Sequence, residues 1–335
     1  MTIKDLAALS GYSLGTVSRV LNNQPHVSEK ARRQIMAIVK ERGFERNTNA
    51  RNLKQIHSNN ILVIVRGTHN ELFAALVEQL QTAAAGGAYR LVVDYIGETD
   101  DEVRRAIKRV REIKPQGILF LGGYSRDFSE SFSAIQIPAV LVTNSAAALG
   151  FENLSSVTTD DTAAAAAAVG HLADMGHRRI GVIGGERESS DTGRLRYAGV
   201  VRALSERGMT FDAERYYKTA HYSFDEGYTA MAELLRETPE ITAVFAMADV
   251  MAIGAARAIR DAGKRIPEDI SLIGFDGLPI CRYYEPRLST VTQQIAFMAE
   301  TSFAVLLDAI ENDAPARHIP APYTLEKTDS VRKVY

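Results

Sequence analysis

Apolar residues at the start of the chain recur at helical spacing. In IKDLAAL, residues 3–9, Ile3, Leu6, Ala7 and Leu9 fall on one face, with Thr2 as N-cap. Gly11 tolerates the positive φ on which a helix can end. Ser13 can cap a second helix carrying Leu14, Val17, Val20 and Leu21. Ser28 caps a third, EKARRQIMAIVKER, with Ile35, Ile38 and Val39 inward and Gly43 ending it. Two short helices, a glycine-containing turn and a third helix predict a helix-turn-helix domain.

The pattern then lapses. FERNTNARNLKQIHSNN, after Gly43, is polar and basic, with only isolated apolar residues such as Ala50 and Leu53, so it reads as a linker or a conditionally folded segment. From residue 61 the spacing changes. ILVIV, YRLVVDYI, GILFL, AVLVT, IGVIG, AVFAM and SLIGF predict strands, with helices around 71–85, 101–112, 161–175, 194–207, 224–236 and 250–262. Near-continuous apolar strands alternating with helices predict parallel sheets covered on both faces. So many units over about 270 residues exceed one comfortable core, which implies two α/β lobes. The alanine run 163–168 is taken as helix filler.

Charge sharpens the division. The first 60 residues hold ten Lys/Arg against four Asp/Glu, +6, and the remainder 29 against 37, −8. A basic head on an acidic body points to a nucleic-acid-binding module joined to something with another task. Cys281 is the only cysteine, which excludes an intrachain disulfide and a cysteine-based metal cluster. The opening MTIKDLAALS lacks the pattern of a signal peptide, and no apolar run is long enough to span a membrane, so a reducing cytoplasm is the expected setting.

One motif suggests catalysis. Gly11-Tyr12-Ser13-Leu14-Gly15 fits G-x-S-x-G, but a nucleophile elbow needs a strand before the serine, and here a helix precedes it. Ser13 is a helix cap. No zinc-type histidine spacing, Walker loop or G-x-G-x-x-G occurs, so neither an enzyme nor a metal site is expected, and no cofactor. A solute-binding protein for transport would need a signal peptide and has no use for the basic head. In open α/β sheets ligands sit beyond the carboxyl ends of strands. Asp276 follows SLIGF and Asp249 follows AVFAM, although a helix N-cap explains Asp249 equally well. Arg196 offers a fork of donors at the start of a helix.

The whole chain resembles the lac repressor/purine repressor family of bacterial transcription regulators. TIKDLAALSGYSLGTVSRVLN is similar to its DNA-reading unit, HVSEKARRQI to its third helix and NARNLK to its hinge. MGHRRIGVIGG, GRLRYAGVVRAL, AVFAMADVMAIGAARAI and IPEDISLIGFDG follow in the order of the family's core landmarks. The resemblance implies an α/β protein: an all-α helix-turn-helix head over 1–46, a hinge helix and linker over 47–60, and a core over 61–335 like the periplasmic binding proteins. The two lobes would be roughly 61–160 with 293–323, and 161–292 with 324–335.

It also implies function: a sequence-specific regulator, expected to be a repressor, that binds a palindromic operator in double-stranded DNA as a homodimer and responds to a small-molecule effector between the lobes. Leu14, Gly15, Ser18 and Arg19 would face bases, Arg19 being suited to a bidentate contact with guanine. Gly15 departs from relatives with a larger side chain there. Thr2, Ser13, Thr16, Asn22, His26 and Ser28 would hold phosphates, fixing register. Leu53 would wedge into the minor groove, with Asn47 and Ala50 as further hinge contacts. Arg196, Asp276, Tyr222, Phe73, Asn144 and Gln293 fall on effector-pocket positions, beside Asp249; Tyr222 and Phe73 also suit ordinary core aromatics. Ala248 departs from sugar-binding relatives, so the effector is left as a sugar or a nucleoside- or purine-like metabolite. A phosphoprotein corepressor is a further possible partner. With no heptads after LEKTDSV, a coiled-coil tetramer is not expected.

Overall fold

The computed structural model describes residues 3–21, 27–42, 58–67, 70–188 and 190–335. It divides into two compact units, 1–57 and 58–335, taken separately below.

In the first unit three helices, Ile3–Ser10, Leu14–Leu21 and Glu29–Glu41, enclose a small core. Leu6, Val17, Val20 and Ile35 are buried at its centre, with Ala7, Tyr12, Leu21, Val27, Ile38 and Val39 packed around them. The turn between the first two helices rests on Gly11, whose φ of +69° is left-handed and favours a residue without Cβ. Ser13 then accepts from the Thr16 amide at 3.2 Å, and Ser28 from the Ala31 amide at 3.3 Å. Both serines satisfy amides that a helix start leaves free. The expected caps at Thr2 and Gly43 lie outside the described residues.

The second unit holds two six-stranded sheets. The strands are β1 (Asn60–Arg66), β2 (Arg90–Ile96), β3 (Gly117–Leu121), β4 (Ala139–Val142), β5 (Leu154–Thr159), β6 (Ile180–Gly184), β7 (Tyr217–Thr219), β8 (Ala243–Ala246), β9 (Ser271–Asp276), β10 (Ser289–Gln293), β11 (His318–Ala321) and β12 (Tyr323–Glu326). The N-terminal lobe has the order β11-β5-β4-β3-β1-β2 and is wholly parallel. The C-terminal lobe has the order β12-β10-β9-β8-β6-β7 and is parallel except for β12, which pairs antiparallel with β10. The chain passes between the sheets after β5, after β10 and between β11 and β12.

Strand β1 shows why its segment is apolar throughout. Ile61, Val63 and Val65 enter one core cluster, while Leu62 and Ile64 enter another containing Phe120, Phe128 and Phe132. With both faces covered, no alternation survives. Strands β5 (LSSVTT) and β10 (STVTQ) carry no such signal, yet both are mostly buried. Their hydroxyls find partners inside: Ser155 accepts from the Arg317 amide at 3.0 Å, and Ser289 from the Thr328 amide at 2.9 Å. The longest described helix, Ile295–Asn312, also lay outside the predicted elements. It packs against the sheet so closely that a Cβ on Gly117 would stand 2.8 Å from Leu306.

The alanine run is more than filler. Ala164, Ala165, Ala166 and Ala168 are buried in helix Asp161–Asp174. A Cβ on Gly199, in helix Asp191–Ser205, would lie 2.4 Å from Thr162 O and 2.9 Å from Ala165 Cβ. Small residues on both sides let the two backbones approach, which sets Asp161 beside Arg196.

Candidate functional site

In the head unit the second helix carries the expected base-facing positions. Gly15 and Arg19 are exposed on it, and a Cβ on Gly15 would lie 3.7 Å from Arg19 Nη2, so the guanidinium folds back over the glycine. Leu14 and Ser18 belong to the same helix by their backbone. Thr16 pairs its hydroxyl with that of Ser13 at 3.0 Å. Thr2, Asn22, His26, Asn47, Ala50 and Leu53 lie outside the described residues.

In the core a cavity of about 170 Å³ opens between the two lobes, at the carboxyl ends of both sheets. One water needs on the order of 10–15 Å³ by this measure, so the space suits a molecule rather than a solvent site. The N-terminal lobe contributes Arg66, Phe73, Glu98, Tyr124 and Asn144, and the C-terminal lobe Asp191, Arg196, Tyr222 and Asp276, with Gln293 at the crossover. Six of the seven expected effector residues therefore share one cavity. Asp249 is the exception.

Asp249 has no exposed surface and does not line the cavity. It is not the N-cap of its helix either: Ala248 holds that place, and Asp249 begins helix Asp249–Asp261. Its Oδ2 accepts from the amides of Gly277 and Leu278, each at 2.7 Å, and its Oδ1 from Thr290 at 2.6 Å. A carboxylate at a strand's carboxyl end can turn inward to brace the next loop, and this one does. Burial pushes its pKa up to about 6 against these hydrogen bonds.

Arg196 is the centre of the C-terminal wall. Its Nε donates to Asp161 Oδ1 at 2.7 Å, Nη1 donates to Met247 O, and Nη2 lies 4.0 Å from Asp276 Oδ1. The guanidinium stacks 3.5 Å from the Phe275 ring centroid. Burial works against its charge, but Asp161 and Asp276 outweigh that and hold the arginine charged. Asp276 has φ +117°, a left-handed conformation that favours glycine, and Thr143 across the cleft has φ +80°. Both follow the apolar run of a strand and both line the cavity. Such strain, of order 1–3 kcal/mol per residue, persists where surrounding structure enforces it, as at ligand clamps. Burial pushes the Asp276 carboxyl up to about 7, with Arg196 pulling the other way.

Two side-chain relays cross between the lobes. Thr159 donates to Gln293 Oε1, and Gln293 Nε2 donates to Asp276, each at 2.9 Å. Thr192 donates to Asn144 Oδ1 at 3.0 Å, and Asn144 Nδ2 donates to Gly123 O. Asp191 also accepts from the Ser125 amide at 2.7 Å. Tyr222 lies near Ser190, but its buried hydroxyl makes no hydrogen bond of good geometry. Phe73 is mostly buried in the core cluster while reaching the cavity, so it fills both roles.

Sequence reasoning passed over a second arginine. Arg66, at the end of β1, donates to Glu98 O and Glu102, lies 3.5 Å from Asp127 and sits 4.1 Å from the Tyr124 ring centroid. Its signal was a single cation closing an otherwise apolar strand, NILVIVR. Asp161, directly after β5, carried the same kind of signal. Among the described residues no group of three or more His, Cys, Asp or Glu could hold a metal ion, and no helix is long and apolar enough to cross a membrane.

Comparison with known proteins accounts for both units. Residues 2–47 match the family model "Bacterial regulatory proteins, lacI family", and residues 169–331 match the periplasmic binding protein-like domain. The HTH-type transcriptional regulator MalR of Clostridium butyricum is 35% identical, covering 98% of this chain and 99% of its own. Among solved structures, the lac repressor dimer bound to operator and the anti-inducer ONPF has a TM-score of 0.80 at 25% identity, covering 99% of each chain. The transcriptional regulator CelR–cellobiose complex has a TM-score of 0.74 at 27% identity, covering 98% of this chain and 99% of that one. These relatives are regulators rather than enzymes. The chain belongs to the lacI family of bacterial regulatory proteins, transcriptional regulators that join a helix-turn-helix head to a periplasmic-binding-protein-like core.

Proposed function

We propose that this protein is a homodimeric repressor that binds a palindromic operator, its DNA affinity set by a small molecule held between the lobes. The observation that carries the reading is the cavity itself. Both lobes wall it, and hydrogen bonds run across its margin from Asp191, Thr192 and Gln293. A ligand there touches both halves at once, so it can shift their relative orientation. Coupling of this kind is reciprocal: whatever ligand weakens DNA binding is itself weakened by DNA.

The relatives support the parts. The lac repressor was solved as a dimer on its operator, and CelR with cellobiose. In this chain Leu14, Gly15, Ser18 and Arg19 would read bases, while Thr2, Ser13, Thr16, Asn22, His26 and Ser28 would hold phosphates and Leu53 would wedge the minor groove. Two heads related by a twofold axis copy their symmetry into the DNA. Tyr283, with 86% of its surface exposed, and the exposed Phe224 and Tyr228 offer an apolar surface on the C-terminal lobe for the partner.

Selection from random-sequence duplexes tests the reading. The expected result is a symmetric consensus bound with steep salt dependence, and an affinity that changes when a cleft ligand is added. A protein that selects no symmetric site overturns it.

A further inference from the structure

The cleft sets chemical terms for its ligand beyond size. Two polar groups on opposite walls lack partners. Arg66 Nε, on the N-terminal lobe, and the Tyr222 hydroxyl, on the C-terminal lobe, are both buried without a hydrogen bond. Both residues line the same cavity. A ligand that fills it meets an unsatisfied donor on one side and an unsatisfied hydroxyl on the other.

The same space is crowded with carboxylates. Glu98, Glu186, Asp191 and Asp276 line it. Glu102, Asp127 and Asp161 stand behind, close against its two guanidinium groups. Among the described lining residues the only basic side chains are Arg66, Arg196 and His221. Neither guanidinium offers a free charge. Arg66 is taken up by Glu102, Asp127 and Glu98 O, and Arg196 by Asp161, Met247 O and Asp276. Arg126 and Arg194 do touch Asp127 and Asp191, but their own side chains are 72% and 57% exposed, where water screens them. Even with Asp276 counted as neutral, the surroundings stay net negative.

These facts favour one functional group. The carboxylates need donors; Arg66 Nε needs an acceptor; the Tyr222 hydroxyl takes either. A hydroxyl donates and accepts without carrying charge. A phosphate ester brings acceptors and negative charge into a poorly hydrated, already negative cleft, where repulsion is strong. Phe73, Tyr124 and Tyr222 supply flat apolar faces against which the C–H side of a ring can lie.

We infer that the effector is an uncharged, hydroxyl-rich molecule bridging Arg66 and Tyr222 across the cleft, and that the surrounding carboxylates shut out its phosphorylated and other anionic analogues. Arg66 is thereby a specificity-determining residue of the N-terminal lobe. This inference rests on the cleft being the effector site.

The test uses the full-length protein and a panel of pentoses, hexoses, disaccharides and nucleosides, each offered as the free compound and as its phosphate ester. Glucosamine stands beside glucose as a cationic counterpart. Thermal shift finds the hits and calorimetry ranks them. The expected result is binding by uncharged members only, with the matching ester weaker by about tenfold or more. Tyr222→Phe, which removes only the orphan hydroxyl, should weaken the hit by about three- to tenfold without lowering the melting temperature of the free protein. A phosphate ester or an amine that binds more tightly than its uncharged parent overturns the inference. So does a Tyr222→Phe protein that melts lower yet binds the hit unchanged. An uncharged hit indifferent both to Tyr222→Phe and to Asp276→Asn is bound elsewhere, and then it is the effector-site reading that fails.

Discussion

Thr159 and Gln293 belong to different lobes and different sheets, yet their side chains share a 2.9 Å hydrogen bond. Each ends the strand from which the chain passes into the other lobe, β5 for Thr159 and β10 for Gln293. Gln293 then holds Asp276 through its amide nitrogen. One glutamine thus ties a crossover to a cavity wall. Thr159→Val and Gln293→Ala should be non-additive in unfolding free energy by about 0.5–1.5 kcal/mol. Denaturant melts of the two single variants and the double variant measure this; strict additivity would show that the bond contributes nothing.

The Asp276 carboxyl, pushed up to about 7 by burial, gives the core a pH signature. An unfolded aspartate titrates near 3.9, so between roughly pH 4 and 7 the native state keeps a proton that the unfolded chain gives up. The site's contribution to stability is therefore greatest at the acid end and declines as pH rises toward 7, then levels off. Asp249, pushed up to about 6, acts in the same direction. Relative to Asp276→Asn, the wild-type protein should lose stability as pH rises from 5 to 7, by on the order of 1 kcal/mol per pH unit at most. Paired melts at pH 5, 6, 7 and 8 check it. Parallel curves would mean that Asp276 stays ionised throughout.

Gly15 is exposed on the second helix of the head, with ordinary van der Waals room for a Cβ. Removing a glycine from a helix gains about 0.5–1 kcal/mol, so Gly15→Ala should raise the head's melting temperature. If this helix reads bases, the added methyl should also change the preferred base at one position of each half-site. An unchanged consensus in random-site selection counts against the helix as reader.

Leu53→Ala should largely abolish specific operator binding while leaving ligand binding by the core intact, because an apolar wedge is what recovers the cost of unstacking a base step. Fluorescence anisotropy with an operator duplex at moderate salt is the measurement. Undiminished affinity removes the wedge from the account.

Tyr283→Asp places a charge on the exposed aromatic surface of the C-terminal lobe. Sedimentation velocity should show the protein shifting from dimer toward monomer, and operator affinity should fall by about tenfold or more as half-sites are engaged singly. A dimer that persists would place the contact on another face.

The strands legible in the sequence are those buried on both faces, β1, β3, β4, β6, β8 and β9, where continuous apolar runs leave little choice. β5 and β10 were not, because their burial is satisfied by hydroxyls bonded to Arg317 and Thr328, more than thirty residues away in the chain. Helix Ile295–Asn312 went unread between such segments. The cavity residues shared with the family, such as Arg196 and Asp276, stood out by place and chemistry. Arg66 did not: its importance comes from Glu102, Asp127 and Tyr124, which folding alone gathers around it. Asp249 misled because position at a strand end says nothing of which way a carboxylate turns.

The three passages between the sheets have a practical consequence. Neither lobe is a contiguous stretch of chain, since β11 closes one sheet after β10 has joined the other, and β12 returns to complete the second. Grafting a relative's C-terminal lobe onto this protein therefore requires three splice points, and a fragment ending before β11 would leave both sheets short of an edge.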